Sequence, residues 1–311
     1  MTPTNGSQET ISRRQVLAAG AAAGLAAGIS PLTWPAAPAR PNIIWIMADD
    51  LGFADNGVTG LRDLTTPNID RIAHEGLFLR QSYSNSAVCT ATRVGLITGR
   101  YQYRLEVGLQ EPLGSATDIG LPPSHPTLPS MLRKAGYRTS LVGKWHMGEG
   151  HRFGPLLSGY DHFYGFLRGA ADYFRHSPET LVDGVGGELM EGDHPSKDIG
   201  YLTQLLGHRA EQEILEAAKG GSPLFLSLHF NAPHWPWEGP EDKAVSDSLK
   251  GLMHYDGGNL AVYRSMLLSM DKAIGGVLKA IDRAGTTRDT IVIFTSDNGG
   301  ERFSDTWPFI G

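Results

Sequence analysis

Four short polar clusters hold most of the side chains in this 311-residue sequence that could do chemistry. They are Asp49-Asp50-Leu51-Gly52, Gly143-Lys144-Trp145-His146-Met147-Gly148, Asn231-Ala232-Pro233-His234-Trp235-Pro236 and Ser296-Asp297-Asn298-Gly299-Gly300. Asp49, Asp50, Asp297 and Asn298 offer hard oxygen donors, which suit Ca²⁺ or Mg²⁺. No thiolate pair or HExxH spacing accompanies them, which argues against zinc. Lys144, His146 and His234 add positive charge and proton transfer, as an anionic substrate with a poor leaving group requires. A divalent cation combined with Lys, Arg and His points to phosphoryl or sulfuryl chemistry. Each cluster alone also has a purely structural explanation: Asp-Asp as a helix cap, Asp-Asn-Gly-Gly as a turn, Lys144 and His234 as solvated side chains. Their shared placement favours a site.

That placement depends on the elements before each cluster. From Arg40 onward, short β-rich apolar runs alternate with helical patterns, which predicts an α/β domain with a largely parallel sheet. Strands are expected at Asn42 to Met47, Arg138 to Val142, Leu224 to Phe230 and Thr290 to Thr295, all four buried. Each leads into one cluster, and parallel sheets bind ligands outside the carboxyl ends of their strands, so the four loops should converge on one rim. Helices are expected from a Thr66 cap with Pro67 in the first turn to Gly76, and from a Thr127 cap to Gly136. Two more are expected over Gln204 to Lys219 and Leu260 to Arg283, the last with Met266, Leu267, Met270, Ile274, Val277, Leu278 and Ile281 on one face. The Gly-, Pro-, His- and aromatic-rich stretches Gly148 to Tyr201 and Ala232 to Gly258 are long for connectors and are expected to shape a binding surface.

The sequence has one cysteine, so no internal disulfide can form. Residues 90 to 98 predict a short helix with Cys89 at its N-terminus, where free N–H groups and the dipole favour anions and a reactive sulfur. Without context the commoner fate of a lone Cys is that of a small buried hydrophobe. A net charge of −6, with no basic run, leaves no footprint for nucleic acid.

The N-terminus reads as an address. Ser12-Arg13-Arg14-Gln15-Val16-Leu17 precedes an Ala/Gly-rich apolar run and the small-x-small sequence Ala37-Pro38-Ala39. The run is shorter than the roughly 20 residues a membrane span needs. Residues 1–39 are therefore expected to be a cleaved twin-arginine signal, with 40–311 as the exported domain, periplasmic or extracellular. Removing them leaves a charge of about −7 by the same counting.

The segment Cys89-Thr90-Ala91-Thr92-Arg93, followed by Val94-Gly95-Leu96-Ile97-Thr98-Gly99-Arg100, resembles the signature of the type I, formylglycine-dependent sulfatases, arylsulfatase-like members of the alkaline-phosphatase-like superfamily. PNIIWIMADDLG, TPNIDRIAHEG, GYRTSLVGKWHMG, NAPHWPW and FTSDNGG follow that family's order from about residue 41 onward. The resemblance implies an α/β, alkaline-phosphatase-like sandwich with a largely parallel central sheet flanked by helices. It also implies sulfate ester hydrolysis by a Cα-formylglycine made from Cys89, whose hydrated form attacks sulfur and gives a covalent sulfate ester. Asp49, Asp50, Asp297 and Asn298, with the oxygen at position 89, would hold Ca²⁺ (Mg²⁺ being possible). Arg93 would hold the formylglycine, Lys144 would bind sulfate, His234 would help protonate the leaving alcohol, and His146 would take the proton as sulfate is expelled. The implied partners are a sulfated small molecule or glycan, a formylglycine-generating or sulfatase-maturating enzyme, and the twin-arginine translocase.

Ala91 stands where aerobic maturation prefers Pro, so conversion is expected to need a more tolerant enzyme or to be incomplete. Family members carry a further sulfate-contacting Lys and a small C-terminal antiparallel subdomain beyond the Asp-Asn-Gly-Gly loop, both expected to be missing here. Ser158 and Asp172 are neighbours in sequence of a further polar residue the family uses, with no firm assignment. The rival expectations are a phosphonate or phosphate ester hydrolase of the same superfamily, and a truncated chain that only binds a sulfated ligand. The aromatic loop 160–174, YDHFYGFLRGAADYF, is open to two uses: stacking on a sugar or aryl ring, or internal packing.

Overall fold

The computed structural model describes residues 40–60, 63–114, 118–177, 187–248 and 258–309. The expected signal at 1–39 lies outside the described residues. Strand β1 (Asn42–Asp49) is apolar and β-branched until its last residue, and it sits inside a seven-stranded sheet. The other strands are β2 (Arg138–Lys144), β3 (His162–Phe166), β4 (Met190–Glu191), β5 (His194–Pro195), β6 (Leu224–Pro233) and β7 (Thr290–Ser296), in the order β5-β4-β3-β2-β6-β1-β7. All pairings from β3 to β7 across the centre are parallel; only the short β4 is reversed, antiparallel to both β3 and β5. The α/β, largely parallel sheet expected from the sequence is therefore present, with its four expected strands adjacent as β2-β6-β1-β7.

Side chains alternate across the sheet, so each strand feeds two cores. Ile44 and Ile46 of β1 and Leu224, Leu226 and Leu228 of β6 join one apolar cluster with helices α5 (Leu202–Gly220) and α7 (Leu260–Arg283). Phe225 joins the opposite cluster with Val94 and Ile97 of α2 (Cys89–Thr98), together with Leu141 and Trp145. Every residue of the predicted stripe on α7 is buried, each contributing roughly 1.5–3 kcal/mol by removal from water. The remaining helices are α1 (Pro67–His74), α3 (Leu128–Lys134), α4 (Gly150–Phe153) and α6 (Lys243–Ser248).

Several expectations are corrected. Thr66 does not cap α1: its hydroxyl bonds Asp70, and the free N–H groups of Asn68 and Ile69 donate instead to Asp271 of α7. The cap is thus long-range, which also fastens α1 to α7. Thr127 caps α3 as expected, reciprocally with Ser130. Strand β7 is an edge strand and only partly covered, with Ile291 48% exposed, so not all four expected strands are buried. The stretch 148–201 is not only a surface: it contributes β3 and the β4–β5 pair to the sheet. The aromatics of 160–174 are mainly internal packing, since Tyr160, Phe163, Tyr164, Phe166 and Tyr173 are all buried.

Two irregularities aim the strand ends. The pairing of β1 with β6 shifts between Met47 and Asp49, which brings Asp49 opposite Pro233, next to His234. In β2, Gly143 has φ +113, and a Cβ there would collide with the His229 carbonyl, so only glycine lets the chain deliver Lys144 so close to β6.

Candidate active site

The four loops converge. Ala48 of β1 pairs with Ser296 of β7, and the Asp297 N–H donates to the Ala48 carbonyl (3.1 Å), so Asp49 and Asp297 lie side by side. Carboxylate oxygens of Asp49, Asp50 and Asp297 lie within 4.8 Å of one another. Asn298 joins them by donating from Nδ2 to Asp50 Oδ1 (2.5 Å). Asp50 has φ +58 and its N–H donates to Asp297 Oδ1 (3.3 Å), a left-handed turn that points consecutive Asp side chains into one space.

The helix α2 supplies the other half. It begins at Cys89, after Val88 in extended conformation with no side-chain cap, and ends at Gly99 in the left-handed region. Cys89 Sγ, an Asp49 oxygen and a His234 ring nitrogen lie within 4.8 Å of one another. Arg93, one helical turn later, is 1% exposed. Its Nε and Nη2 donate to Asp297 Oδ2 (3.1 and 2.8 Å), Nη2 also to Asp49 Oδ1 (3.3 Å), and Nη1 to the Lys144 carbonyl (3.2 Å). Lys144 Nζ donates to Asp49 Oδ2 at 2.6 Å, with both side chains fully buried. Arg93 and Lys144 thus serve first to pair the buried carboxylates.

Burial alone would raise the Asp49 carboxyl, yet Lys144, His234 and Arg93 together hold it below its ordinary value. Asp297 is pushed up, first by burial and then by the Asp49 charge. Burial, seconded by Asp49, Asp297 and Asp50, drives the Cys89 thiol well above its usual range, against the pull of Lys144. The sequence expectation of a reactive sulfur at the helix N-terminus is therefore corrected: the carboxylates and the dry site outweigh the helix end, and Cys89 is held as a thiol.

The histidines are held differently. His146, with φ +55, bonds through Nε2 to the Leu113 carbonyl (3.0 Å), and the Leu113 N–H donates to Thr90 Oγ1 (3.0 Å). The Leu113 peptide therefore ties His146 to the start of α2. With Nε2 carrying the proton, buried Nδ1 is left as an acceptor without a partner. Burial and the nearby Lys144 drive the His146 pKa well below the usual imidazole range, so the ring is neutral at pH 7. His234 lies with Nε2 3.6 Å from Asp50 Oδ2 and Nδ1 2.6 Å from the Trp235 carbonyl.

The site residues expected from the sequence thus gather around Asp49, which is in mutual range of Asp50 and Asp297 on one side and of Cys89 and His234 on the other. Ser158 and Asp172 are not among them. The Ser158 carbonyl accepts from Thr127 beneath α3, and Asp172 accepts from the N–H groups of Phe174 and Arg175 in a turn. Sequence reasoning missed His229, buried on β6 with Nδ1 3.4 Å from Arg93 Nη1. Period-2 alternation puts it on the face of Phe225 and Ser227, toward α2, and that was the available signal. It also missed Leu113 and Tyr173, which act through a backbone amide and a contact 61 residues away.

The donor set fits a hard divalent cation. Asn298 Oδ1 is buried without a hydrogen-bond partner beside the three clustered carboxylates, an orphaned acceptor of the kind a bound cation satisfies.

A family model described as Sulfatase matches residues 41–308. Arylsulfatase J of Mus musculus is 34% identical over 288 residues, covering 90% of this chain and 46% of that protein. N-acetylgalactosamine-6-sulfatase of Mus musculus is 30% identical over 283 residues, covering 86% and 52%. The chain therefore spans about half the length of the curated relatives it matches. Among solved structures, Ps i-CgsB superimposes with a TM-score of 0.77 at 30% identity, covering 87% of this chain and 61% of that one. Ps i-CgsB has also been solved in complex with k-i-k-neocarrahexaose, where the TM-score is 0.74. With the motif-bearing loops assembled at one rim of the sheet and the family model spanning residues 41–308, the chain belongs to the sulfatase family.

Proposed function

We propose that the protein hydrolyses sulfate esters, using residue 89 after conversion of Cys89 to formylglycine and a divalent cation, Ca²⁺ in preference to Mg²⁺, held by Asp49, Asp50, Asp297 and Asn298. The observation that carries this is the enclosure of Cys89 within 4.8 Å of both Asp49 and His234, in a site where the unmodified thiol is a poor nucleophile. Position 89 is built for reaction, yet its surroundings disfavour a thiolate. The hydrated aldehyde supplies an oxygen nucleophile there, with a second hydroxyl for later release of sulfate. The cation supplies positive charge for the sulfate oxygens.

The chain's own residues do the rest. Lys144 and Arg93 favour the ionised form of Asp49 in a dry site and partly offset the burial that raises Asp297. His234, beside Cys89, gives a proton to the departing alcohol. His146, neutral with a free Nδ1, takes a proton from position 89 when sulfate leaves. The charge balance supports a monoanionic substrate. Counted by formal charges, Asp49, Asp50 and Asp297 against Arg93 and Lys144 leave one negative charge, and a divalent cation would turn this into one positive charge. A sulfate monoester carries one negative charge, whereas a phosphate monoester dianion carries two. Phosphonate monoesters, also monoanionic, remain the second substrate class to be compared.

The complex of Ps i-CgsB with k-i-k-neocarrahexaose supports a sulfated glycan as the substrate over a small aryl sulfate. The twin-arginine segment supports export by the twin-arginine translocase after maturation by an enzyme that accepts Ala91. Intact mass of the peptide containing residue 89 should lie about 18 Da below the unmodified form. Turnover of nitrophenyl sulfate, a nitrophenyl phosphonate monoester and sulfated oligosaccharides should rank sulfates first. Activity from fully unmodified protein refutes the formylglycine route, and preference for phosphonate refutes the substrate class.

A further inference from the structure

Behind His234 lies a buried polar brace that the chemistry above does not use. Tyr173 is 0% exposed, and its hydroxyl donates to the His234 backbone carbonyl at 2.9 Å. Its own N–H donates to Glu238 Oε2 at 3.0 Å, and its ring stacks on Tyr201 with centroids 5.3 Å apart. Tyr201 in turn donates from its hydroxyl to the Glu238 carbonyl at 2.7 Å. The Leu202 N–H donates to the Tyr173 carbonyl (2.8 Å), which roots the brace at the first turn of α5.

His234 needs such a brace. It follows the last residue of β6, its N–H reaches back to the Asn231 carbonyl at 2.9 Å, and among the described residues its ring hydrogen-bonds to the adjacent Trp235 carbonyl, with Asp50 Oδ2 3.6 Å from Nε2. Neither bond fixes the ring relative to residue 89. Besides the pairing of Pro233 with Asp49 and the 3.6 Å approach of Nε2 to Asp50, the Tyr173 hydroxyl is the long-range side-chain hydrogen bond to the backbone that carries the ring, and a buried phenol aimed at a carbonyl has a well-defined geometry.

We propose that Tyr173 is a positioning residue for leaving-group protonation. Through the His234 carbonyl it holds the imidazole at the distance the departing oxygen requires, and Glu238 braces Tyr173 from the far side. This rests on the assignment of His234 as the proton donor. A proton donor matters little to a leaving group that departs readily as an anion and greatly to one that does not, so a displaced His234 should reveal itself in leaving-group dependence. A merely structural residue, when weakened, lowers all turnovers alike.

The test uses the full chain with residue 89 converted, the Tyr173→Phe, Glu238→Ala and His234→Ala variants, and a series from nitrophenyl sulfate through phenyl sulfate to an alkyl sulfate. Thermal unfolding checks that each variant is folded. Tyr173→Phe should hold kcat on nitrophenyl sulfate within about twofold, lose about tenfold or more on the alkyl sulfate, and leave KM unchanged throughout. Glu238→Ala should show the same slope at about a third of the size, and it keeps the question answerable if Tyr173→Phe does not fold. Flat losses, or none, in Tyr173→Phe and Glu238→Ala while His234→Ala remains steep overturn the positioning role alone. A flat His234→Ala series, or a parent without turnover, refutes the assignment of His234 and the brace's role together.

Discussion

The carboxylate knot and the two histidine loops share one rim but are built on opposite principles. In the knot, Asp49, Asp297, Arg93 and Lys144 are fully buried and satisfy one another side chain to side chain. In the loops, His146 and His234 bond to backbone carbonyls, those of Leu113 and Trp235. The knot fixes charge, and removing any member strands another in a dry interior. The loops leave nitrogen atoms available, and removing a ring strands little. Stability and activity should therefore be coupled in one half of the site and separable in the other.

The largest expected effect is at Arg93. Arg93→Leu leaves Asp49 and Asp297 buried together without their shared cation, which should cost about 3–5 kcal/mol in chemical denaturation as well as abolishing turnover. Arg93→Lys should recover little, because a single ammonium cannot reach both carboxylates and the Lys144 carbonyl as the guanidinium fork does. A loss below about 1 kcal/mol breaks the contrast at its strong end, since it means the carboxylates are satisfied without the knot.

The cation comes next. If the three carboxylates and Asn298 hold Ca²⁺, a hundredfold excess over its Kd should add about 2.7 kcal/mol to stability, and a chelator should remove that increment together with turnover. Asn298→Ala should abolish most of the increment by removing the orphaned oxygen, and should also cost the metal-free protein about 1–3 kcal/mol because Asp50 loses the Nδ2 donor. An increment that survives Asn298→Ala places the cation elsewhere.

The knot was legible in the sequence because Asp49, Lys144 and Asp297 end or follow strands that announce themselves, and Arg93 sits in the Cys89 motif. Asn42 to Met47 and Thr290 to Thr295 are β-branched runs, and parallel pairing puts the residues that follow them side by side. The α7 bounds, Leu260–Arg283, were equally readable from the apolar stripe Met266 to Ile281, and the structure adds an Asn259 cap. The supports of the loops were not. Strand β3, reading HFYGF, has no β-branched residue and lies in a Gly-rich stretch, so periodicity hides it. The α1 cap comes from Asp271, 203 residues from Asn68. Tyr173 and Leu113 act through contacts that no spacing encodes, and the raised pKa of Cys89 comes first from burial and then from carboxylates brought from the ends of β1 and β7.

Protons separate the two regions further. His229, behind Arg93, is held at about 3, chiefly by burial and then by the Arg93 charge, against 6.5 when free. Its folded pKa is depressed, so its contribution is complete above pH 6.5 and is lost as pH falls toward 3, by about 2 kcal/mol between pH 6.5 and 5. Glu238, in the brace behind His234, is raised to about 7, chiefly by burial and then by Asp172, from 4.5. Its contribution runs the other way, complete below pH 4.5 and lost as pH rises through 7. The two largely offset each other in the parent. Denaturation midpoints between pH 5 and 6.5 should therefore fall more steeply on acidification in Glu238→Gln and less steeply in His229→Gln. Parallel slopes in both variants break the assignment of opposite signs.

The smallest expected effect on stability sharpens the contrast most. His234→Ala removes a ring whose hydrogen bond is to its neighbour's carbonyl, and it leaves the Tyr173 bond intact because that bond is made to backbone. Stability should change by less than about 1 kcal/mol, while kcat on a poor leaving group falls by about 10²–10³. The same substitution deprives Asp49 of one of the positive neighbours that lower its carboxyl, but Lys144 at 2.6 Å and Arg93 remain, so the knot persists. A stability loss equal to that of Arg93→Leu shows instead that the imidazole is a member of the knot, with its charge needed to hold Asp49 and Asp50 together.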